Sequence, residues 1–281
     1  MIMQQYHDTC YKLVKRLTIS YSTSFSWGIK AFSPEFRNPI YSIYGYVRVA
    51  DEIVDTFHNF DKEYLLKKFR DDTWEAIETG ISTNPVLHSF QEVVNKYNID
   101  HKLIEAFLNS MEMDLENSYY ERNKYDNYIY GSAEAVGLMC LKVFVNGDQK
   151  KYEDLEYSAR MLGAAFQKVN FLRDIKSDIV ERGRIYLPGI DHKELINNLN
   201  KQKLEAEVEK EFHLALAGIK NLPVGVKFGV YSAYLYYIVL LKKIKRLDVD
   251  ELLQKRVRVS NLQKLILLFK SYLEVKFLRT T

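Results

Sequence analysis

Twelve glycines and five prolines are all that punctuate a chain of 281 residues. Both residues break helices, glycine through entropy and proline through its missing N–H and the clash of its ring. A chain with so few of them favours long helices. Successive segments are amphipathic at helical spacing, and a hydrophobic fraction of 47% supplies an ample core. No Pro/Gly/Ser-rich linker, low-complexity run or repeat divides the chain. The expectation is one all-α domain over 1–281.

The pattern predicts helices over Tyr6–Ser20, from Pro34 onward with Ser33 as cap, and over Lys62–Ile77, Pro85–Tyr97, Asp100–Leu115, Tyr125–Phe144, Tyr152–Glu181 and Leu195–Ile219. Proline at the first helical position after a serine cap is a strong start signal. Further helices follow the break at Pro223-Val224-Gly225. Arg182–Asp191, with two glycines and a proline, is expected to be a loop able to fold over a cleft mouth.

Two of these helices carry an Asp-x-x-x-Asp pair, Asp51/Asp55 and Asp174/Asp178. Residues four apart lie one above the other on a helix face, so each pair presents two carboxylates together. In the first helix Tyr41, Tyr44, Arg48, Asp51 and Asp55 fall on one stripe; in the second, Gln167, Asn170, Asp174 and Asp178 do. The spacing alone is a weak signal and also fits a solvated helix face. The neighbours Val47, Val49, Ala50, Ile53 and Val54, and Val169, Phe171, Leu172 and Ile175, are apolar, however, and acids in such surroundings cost free energy unless paired or metal-bound. Asp114, near the end of the Asp100–Leu115 segment, reads as a surface acid, with an extra inward carboxylate as the alternative.

The words around the two pairs are more specific. Ser22-Thr23-Ser24-Phe25 followed by Tyr41-Ser42-Ile43-Tyr44-Gly45-Tyr46-Val47-Arg48-Val49-Ala50-Asp51-Glu52-Ile53-Val54-Asp55 resembles the first signature of the squalene/phytoene synthase family. Gln167-Lys168-Val169-Asn170-Phe171-Leu172-Arg173-Asp174, continuing to Arg182-Gly183-Arg184-Ile185-Tyr186-Leu187-Pro188, resembles the second. Tyr128-Ile129-Tyr130-Gly131-Ser132-Ala133-Glu134-Ala135-Val136-Gly137 is similar to the tyrosine-rich helix of that family, and Arg256-Val257-Arg258 to its closing basic segment. The matches run in family order over nearly the whole chain.

The resemblance implies an isoprenoid-synthase-type helical bundle with a central cavity, joining two isoprenoid diphosphates head to head. It implies Mg2+, with Mn2+ as a substitute, held by Asp51, Asp55, Asp174 and Asp178. Arg48 and Arg173 would hold diphosphate oxygens. Ser22, Ser24, Gln167, Asn170 and Arg256 would add polar substrate contacts, and Phe25, Tyr44, Tyr128 and Tyr236 would face the allylic cation. The favoured product is phytoene from geranylgeranyl diphosphate, as in 15-cis-phytoene synthases, with no NADPH required and with downstream carotenoid enzymes as partners. Dehydrosqualene or squalene from farnesyl diphosphate is the alternative product. An inactive, membrane-associated assembly factor is the alternative of another class, disfavoured because all four Asp and both Arg are present. Aliphatic Ile29, one turn after Phe25, hints at depth for a twenty-carbon tail. One departure stands out: the family usually reads Ala-Gly-Thr-Val-Gly where this chain has Ala133-Glu134-Ala135-Val136-Gly137. Glu134 would remove a close backbone approach, bring a charge toward the cavity, or turn outward.

Other classes are disfavoured. The six histidines are scattered, with no His-x-x-x-His pair of a zinc hydrolase, and no Gly-x-Gly-x-x-Gly follows a strand. Cys10 and Cys140 show no metal or disulfide spacing, which suggests a reducing compartment. With no signal-like start and no apolar run near the ~20 residues of a spanning helix, the expected location is cytoplasmic. From Asn221 onward twelve Lys/Arg face four Asp/Glu. This basic, apolar-interleaved tail fits peripheral contact with anionic lipid as well as it fits a solvated helix face. It resembles no nucleic-acid-binding module.

Overall fold

A computed structural model describes residues 2–116, 121–180, 182–186, 188, 190 and 197–277. Every regular element among them is helical: α1 (Ile2–Tyr21), α2 (Thr23–Lys30), α3 (Pro34–Asp55), α4 (Lys62–Thr79), α5 (Pro85–Tyr97), α6 (His101–Leu115), α7 (Arg122–Ile129), a π-helical turn (Tyr130–Glu134), α8 (Ala135–Val145), α9 (Gln149–Val180), α10 (Asn198–Asn221), α11 (Val224–Ile244), α12 (Val249–Gln254) and α13 (Asn261–Phe277).

The helices begin where local chemistry dictates. Asp61, Asn84 and Asp100 accept hydrogen bonds from the first-turn N–H groups of α4, α5 and α6, satisfying donors that have no partner within the helix. Pro34 opens α3 as expected, although the Ser33 side chain makes no cap bond. Residues 187, 189 and 191–196 of the expected loop and helix start lie outside the described residues.

The long α9 is the axis of the molecule, packing against α10, α8, α11, α12 and the π turn, while α3 packs on α1, α5, α6 and α8. One core runs from Val14 to Val259. Tyr41, expected on the cleft stripe of α3, is instead 1% exposed within this core.

Close packing at the π turn needs glycine. A Cβ at Gly131 would lie 2.2 Å from the Ala106 carbonyl oxygen, and one at Gly163 of α9 would lie 2.7 Å from that of Ala133. The extra residue of a π turn shifts which side chains face inward, and such turns recur at functional sites.

The expectation that no segment approaches spanning length was too strict. Arg122–Val145 and Val224–Ile244 reach it by length and composition, because few charges interrupt them. Both pack within the bundle, two thirds of the first helix's most apolar window being buried.

Candidate active site

Helices α3, α6, α7 and α9 enclose a cavity of about 140 Å3, lined by Tyr44, Val47, Arg48 and Asp51 from α3, Phe107 and Met111 from α6, Tyr128 from α7, Ser132 of the π turn, and Gln167 from α9. Both acidic helices thus reach one space, as the sequence predicted. Its walls are aromatic and aliphatic and its rim is ionic.

The rim is a lattice of carboxylates and guanidinium groups. On α3, Arg48 donates to Asp51 at 2.6 Å and also pairs with Glu52. On α9, Arg173 pairs with Asp174, which also accepts from Arg256 Nε at 2.6 Å. Arg182 bridges the two helices, donating to Asp178 at 2.7 Å and lying 3.5 Å from Asp55. Arg184 donates to Asp55 at 2.5 Å and to the Val54 carbonyl at 3.2 Å. Arg182 and Arg184, to which the sequence reading gave no site role, thus tie Asp55 to Asp178 and to Asp114, while Asp51 with Arg48 and Asp174 with Arg173 and Arg256 form ion pairs one helical turn away on each helix.

Asp114 corrects the sequence reading. It is 4% exposed, not a surface acid, and accepts hydrogen bonds from Tyr128 Oη at 2.9 Å and Tyr186 Oη at 2.7 Å. The signal was available: Phe107, Met111 and Asp114 share the inward stripe of α6, at steps of four and three. Tyr186 packs against both Phe171 and Tyr128, with ring centroids 4.3 and 5.2 Å away, so the segment after α9 lies over the aromatic floor of the cleft.

The remaining predicted residues divide. Ser22 caps α2 by accepting the Phe25 N–H at 3.2 Å, and Phe25 stacks on Tyr44 at 4.6 Å. Asn170 accepts from Tyr237 Oη at 3.1 Å. Tyr236 stands edge-on to Tyr237 and does not line the cavity. The Ser24 side chain lies outside the described residues. Ile29 is buried in the main core and does not line the cavity either.

Glu134 turns inward. It is 8% exposed and accepts from Arg160 Nε at 2.6 Å. The close approach that a glycine would serve here is supplied by Gly131 and Gly163 instead.

Charge repulsion in the rim is uneven. Burial, then the neighbouring Asp55, raises Asp51 to about 6 against the pull of Arg48. Burial and the Asp174 charge raise Asp178 to about 7, and burial raises Asp114 to about 6. At Asp174 burial also pushes upward, but hydrogen bonds and charge from Arg173 and Arg256 outweigh it and hold the carboxyl below its ordinary range. Crowded, buried, oxygen-only donors are the set that binds Mg2+ or Mn2+ rather than softer metals. The residues present therefore fit the metal that the resemblance implies.

The squalene/phytoene synthase family profile matches residues 19–263. The chain belongs to this family. Its relatives include a phytoene synthase of Arthrospira platensis, 28% identical over 95% of this chain and 94% of that one. The 15-cis-phytoene synthase of Synechocystis is 27% identical over 97% and 86%. Among solved structures, a dehydrosqualene synthase in complex with a ligand superposes with a TM-score of 0.80 at 20% identity, covering 97% and 98% of the two chains. A squalene synthase from Alicyclobacillus acidocaldarius gives 0.73 at 19%, covering 85% and 94%. The family fixes a prenyltransferase acting head to head on isoprenoid diphosphates, and its members typically use Mg2+.

Proposed function

We propose that this protein condenses two geranylgeranyl diphosphates to phytoene through a cyclopropylcarbinyl diphosphate, releasing diphosphate. The observation that carries the reading is the approach of the two acidic helices: Asp51 lines the aromatic cavity, and Arg182 ties Asp55 of α3 to Asp178 of α9. The twenty-carbon substrate is favoured by the relatives named phytoene synthase.

Mg2+ held by Asp51, Asp55, Asp174 and Asp178 would stabilise charge on a departing diphosphate. The protein's own groups do the rest. Arg48, Arg173 and Arg256 are fixed beside the acids and can turn charge-assisted hydrogen bonds toward phosphate oxygens. Arg182 and Arg184, now paired with Asp55 and Asp178, exchange those carboxylates for phosphate when substrate enters. The cavity of about 140 Å3 is smaller than the ~300 Å3 at which ligand pockets begin, so this exchange accompanies opening. Phe25, Tyr44 and Tyr128 offer π faces to the allylic cation, and the Tyr186 segment keeps water from it. Ser22 orients Phe25, while Gln167 and Asn170 supply polar contacts on the α9 stripe. Tyr236 would act from behind Tyr237.

The location proposed is the cytoplasmic face of a membrane. On α13, Leu262, Leu265, Ile266, Phe269, Tyr272 and Leu273 form one outward stripe, each 38–68% exposed. Lys270 and Lys276 are exposed on the same helix. The opposite face packs on α11 through Ser271–Ser232 at 2.6 Å and Tyr231–Glu274 at 2.7 Å. An apolar stripe with lysines on an otherwise anchored helix suits an anionic bilayer surface, from which a greasy substrate can enter.

Competition between geranylgeranyl and farnesyl diphosphate in one reaction tests the substrate. A forty-carbon hydrocarbon should dominate; a thirty-carbon product in excess would overturn the chain-length assignment and keep the mechanism.

A further inference from the structure

Three metal-ligating side chains meet on the N-terminal side of the fold, away from the acidic cleft. His7 lies on α1, and His88 and Glu92 occupy consecutive turns of α5, four residues apart. Their ligand atoms all fall within 4.8 Å of one another. His88 is fully buried, while His7 and Glu92 are about one quarter exposed, leaving a path for an ion.

No placement of protons satisfies the contacts. The Ser82 backbone N–H donates to His88 Nδ1 at 3.3 Å, so the hydrogen of a neutral His88 ring sits on Nε2. His88 Nε2 lies 2.9 Å from His7 Nδ1, which must then accept. Glu92 Oε1, however, stands 2.5 Å from that same nitrogen and needs a donor. A proton on His7 Nδ1 satisfies Glu92 and turns two N–H groups against each other. Moving the His88 hydrogen to Nδ1 opposes it to the Ser82 N–H. The Tyr11 hydroxyl also neighbours the Glu92 carboxylate and hydrogen-bonds it. A cation held by His7 Nδ1, Glu92 Oε1 and His88 Nε2 removes the conflict among these three atoms, at the cost of the long 3.3 Å contact from the Ser82 N–H, because ligation by Nε2 moves the His88 hydrogen to Nδ1.

We infer that His7, His88 and Glu92 form a binding site for a transition-metal ion of the Zn2+ class, pinning α1 to α5. Two imidazoles and one carboxylate suit Zn2+ better than Mg2+. Ligands at ~2.0–2.1 Å in a tetrahedron stand about 3.3 Å apart, so the 2.9 Å and 2.5 Å separations must open by about 0.4 and 0.8 Å. The consequence reaches the cleft. Tyr21, about 21 Å along α1 from His7, lies under the Arg48 guanidinium, 4.3 Å from ring centroid to carbon, and Val14 touches α3 at Gly45. Tying α1 down steadies the helix that carries Asp51.

The test uses the full chain, stripped with a chelator and held in millimolar Mg2+ so that the cleft carboxylates are occupied, then titrated with ZnCl2 by calorimetry. One Zn2+ per chain is expected, with a rise in the thermal midpoint. His7→Ala and Glu92→Gln, both at partly exposed positions, should weaken binding at least 100-fold and abolish the rise. Co2+ in place of Zn2+ should give visible absorption bands of a four-coordinate site that His7→Ala removes. Zn2+ binding unchanged in both variants, or no binding by the folded wild type at 100 µM, would overturn the inference. Neither result depends on prenyltransferase activity.

Discussion

Arg184 donates to Asp55 at 2.5 Å across 129 positions of sequence, and its guanidinium also lies 3.9 Å from Asp114. The segment after the second acidic helix is thereby bound onto the end of the first. Arg184→Ala leaves the buried Asp114 and the half-buried Asp55 without their shared cation. Removing one partner of a buried ion pair costs roughly 3–5 kcal/mol. Denaturant unfolding should register a loss of that order, with activity lost alongside. Arg184→Lys should recover part of the stability and little of the activity, because an ammonium cannot reach Asp55 and the Val54 carbonyl together.

The acids that crowd one another should be easier to remove for stability than for function. Asp51→Asn relieves burial of a charge beside Asp55. Thermal melts at pH 7.5 should show little loss and at most about 0.5 kcal/mol of gain, because the Asp51 side chain is 35% exposed and solvent screens the repulsion. Turnover should fall by at least 100-fold if Asp51 holds the metal. A variant both unstable and active would contradict the assignment.

Arg160 and Glu134 should be coupled. Arg160→Ala strands a buried carboxylate and should cost about 1–3 kcal/mol, while Glu134→Gln on the same background should restore most of it. A double-mutant cycle by urea denaturation with less than about 0.5 kcal/mol of coupling would mean that the pair is incidental.

Most of the fold was legible in the sequence, and the site only partly so. Scarce helix breakers and cap residues such as Asp61, Asn84 and Asp100 carry local information, so α4–α6 fall within a residue or two of expectation. The stripes of α3 and α9 placed their acids correctly because helical periodicity settles which face a side chain takes. Asp114 was misjudged because its burial depends on Tyr128 and Tyr186 arriving from two other elements. Arg182 and Arg184 lie in a loop, where no periodicity assigns direction. Glu134 depended on Arg160, 26 residues away, and on a π turn that changes the phase of the helix. The histidine cluster joins His7 to His88, a pairing that exists only once α1 lies on α5.

Lys168 is buried between Glu207 and Glu211, and this triad gives stability a pH slope. Burial, only partly offset by Lys168, raises Glu211 from 4.5 to about 7. An acid with a higher pKa folded than unfolded binds more protons in the native state, so its contribution falls as pH rises from about 4.5 to 7. Glu207 is held low, against burial, by Arg122 and Lys168, so its own contribution changes below that window. Between pH 5 and 8 the wild type should lose about 1–3 kcal/mol relative to Glu211→Gln, measured by denaturant unfolding. Parallel pH profiles would contradict this origin of the slope.

The α13 stripe predicts sedimentation with vesicles containing anionic lipid. Phe269→Ser with Leu265→Ser should reduce the bound fraction at least fivefold and leave the fold intact, since both side chains are more than half exposed. Equal binding by the double variant would remove α13 as the contact.

Incubating purified protein with Mg2+ and geranylgeranyl diphosphate, without NADPH, and identifying the hydrocarbon by chromatography and mass decides whether this chain makes phytoene. The expected product is a forty-carbon phytoene that disappears in Asp51→Ala and in Asp174→Ala, both still folded by circular dichroism. No hydrocarbon from either geranylgeranyl or farnesyl diphosphate would contradict it.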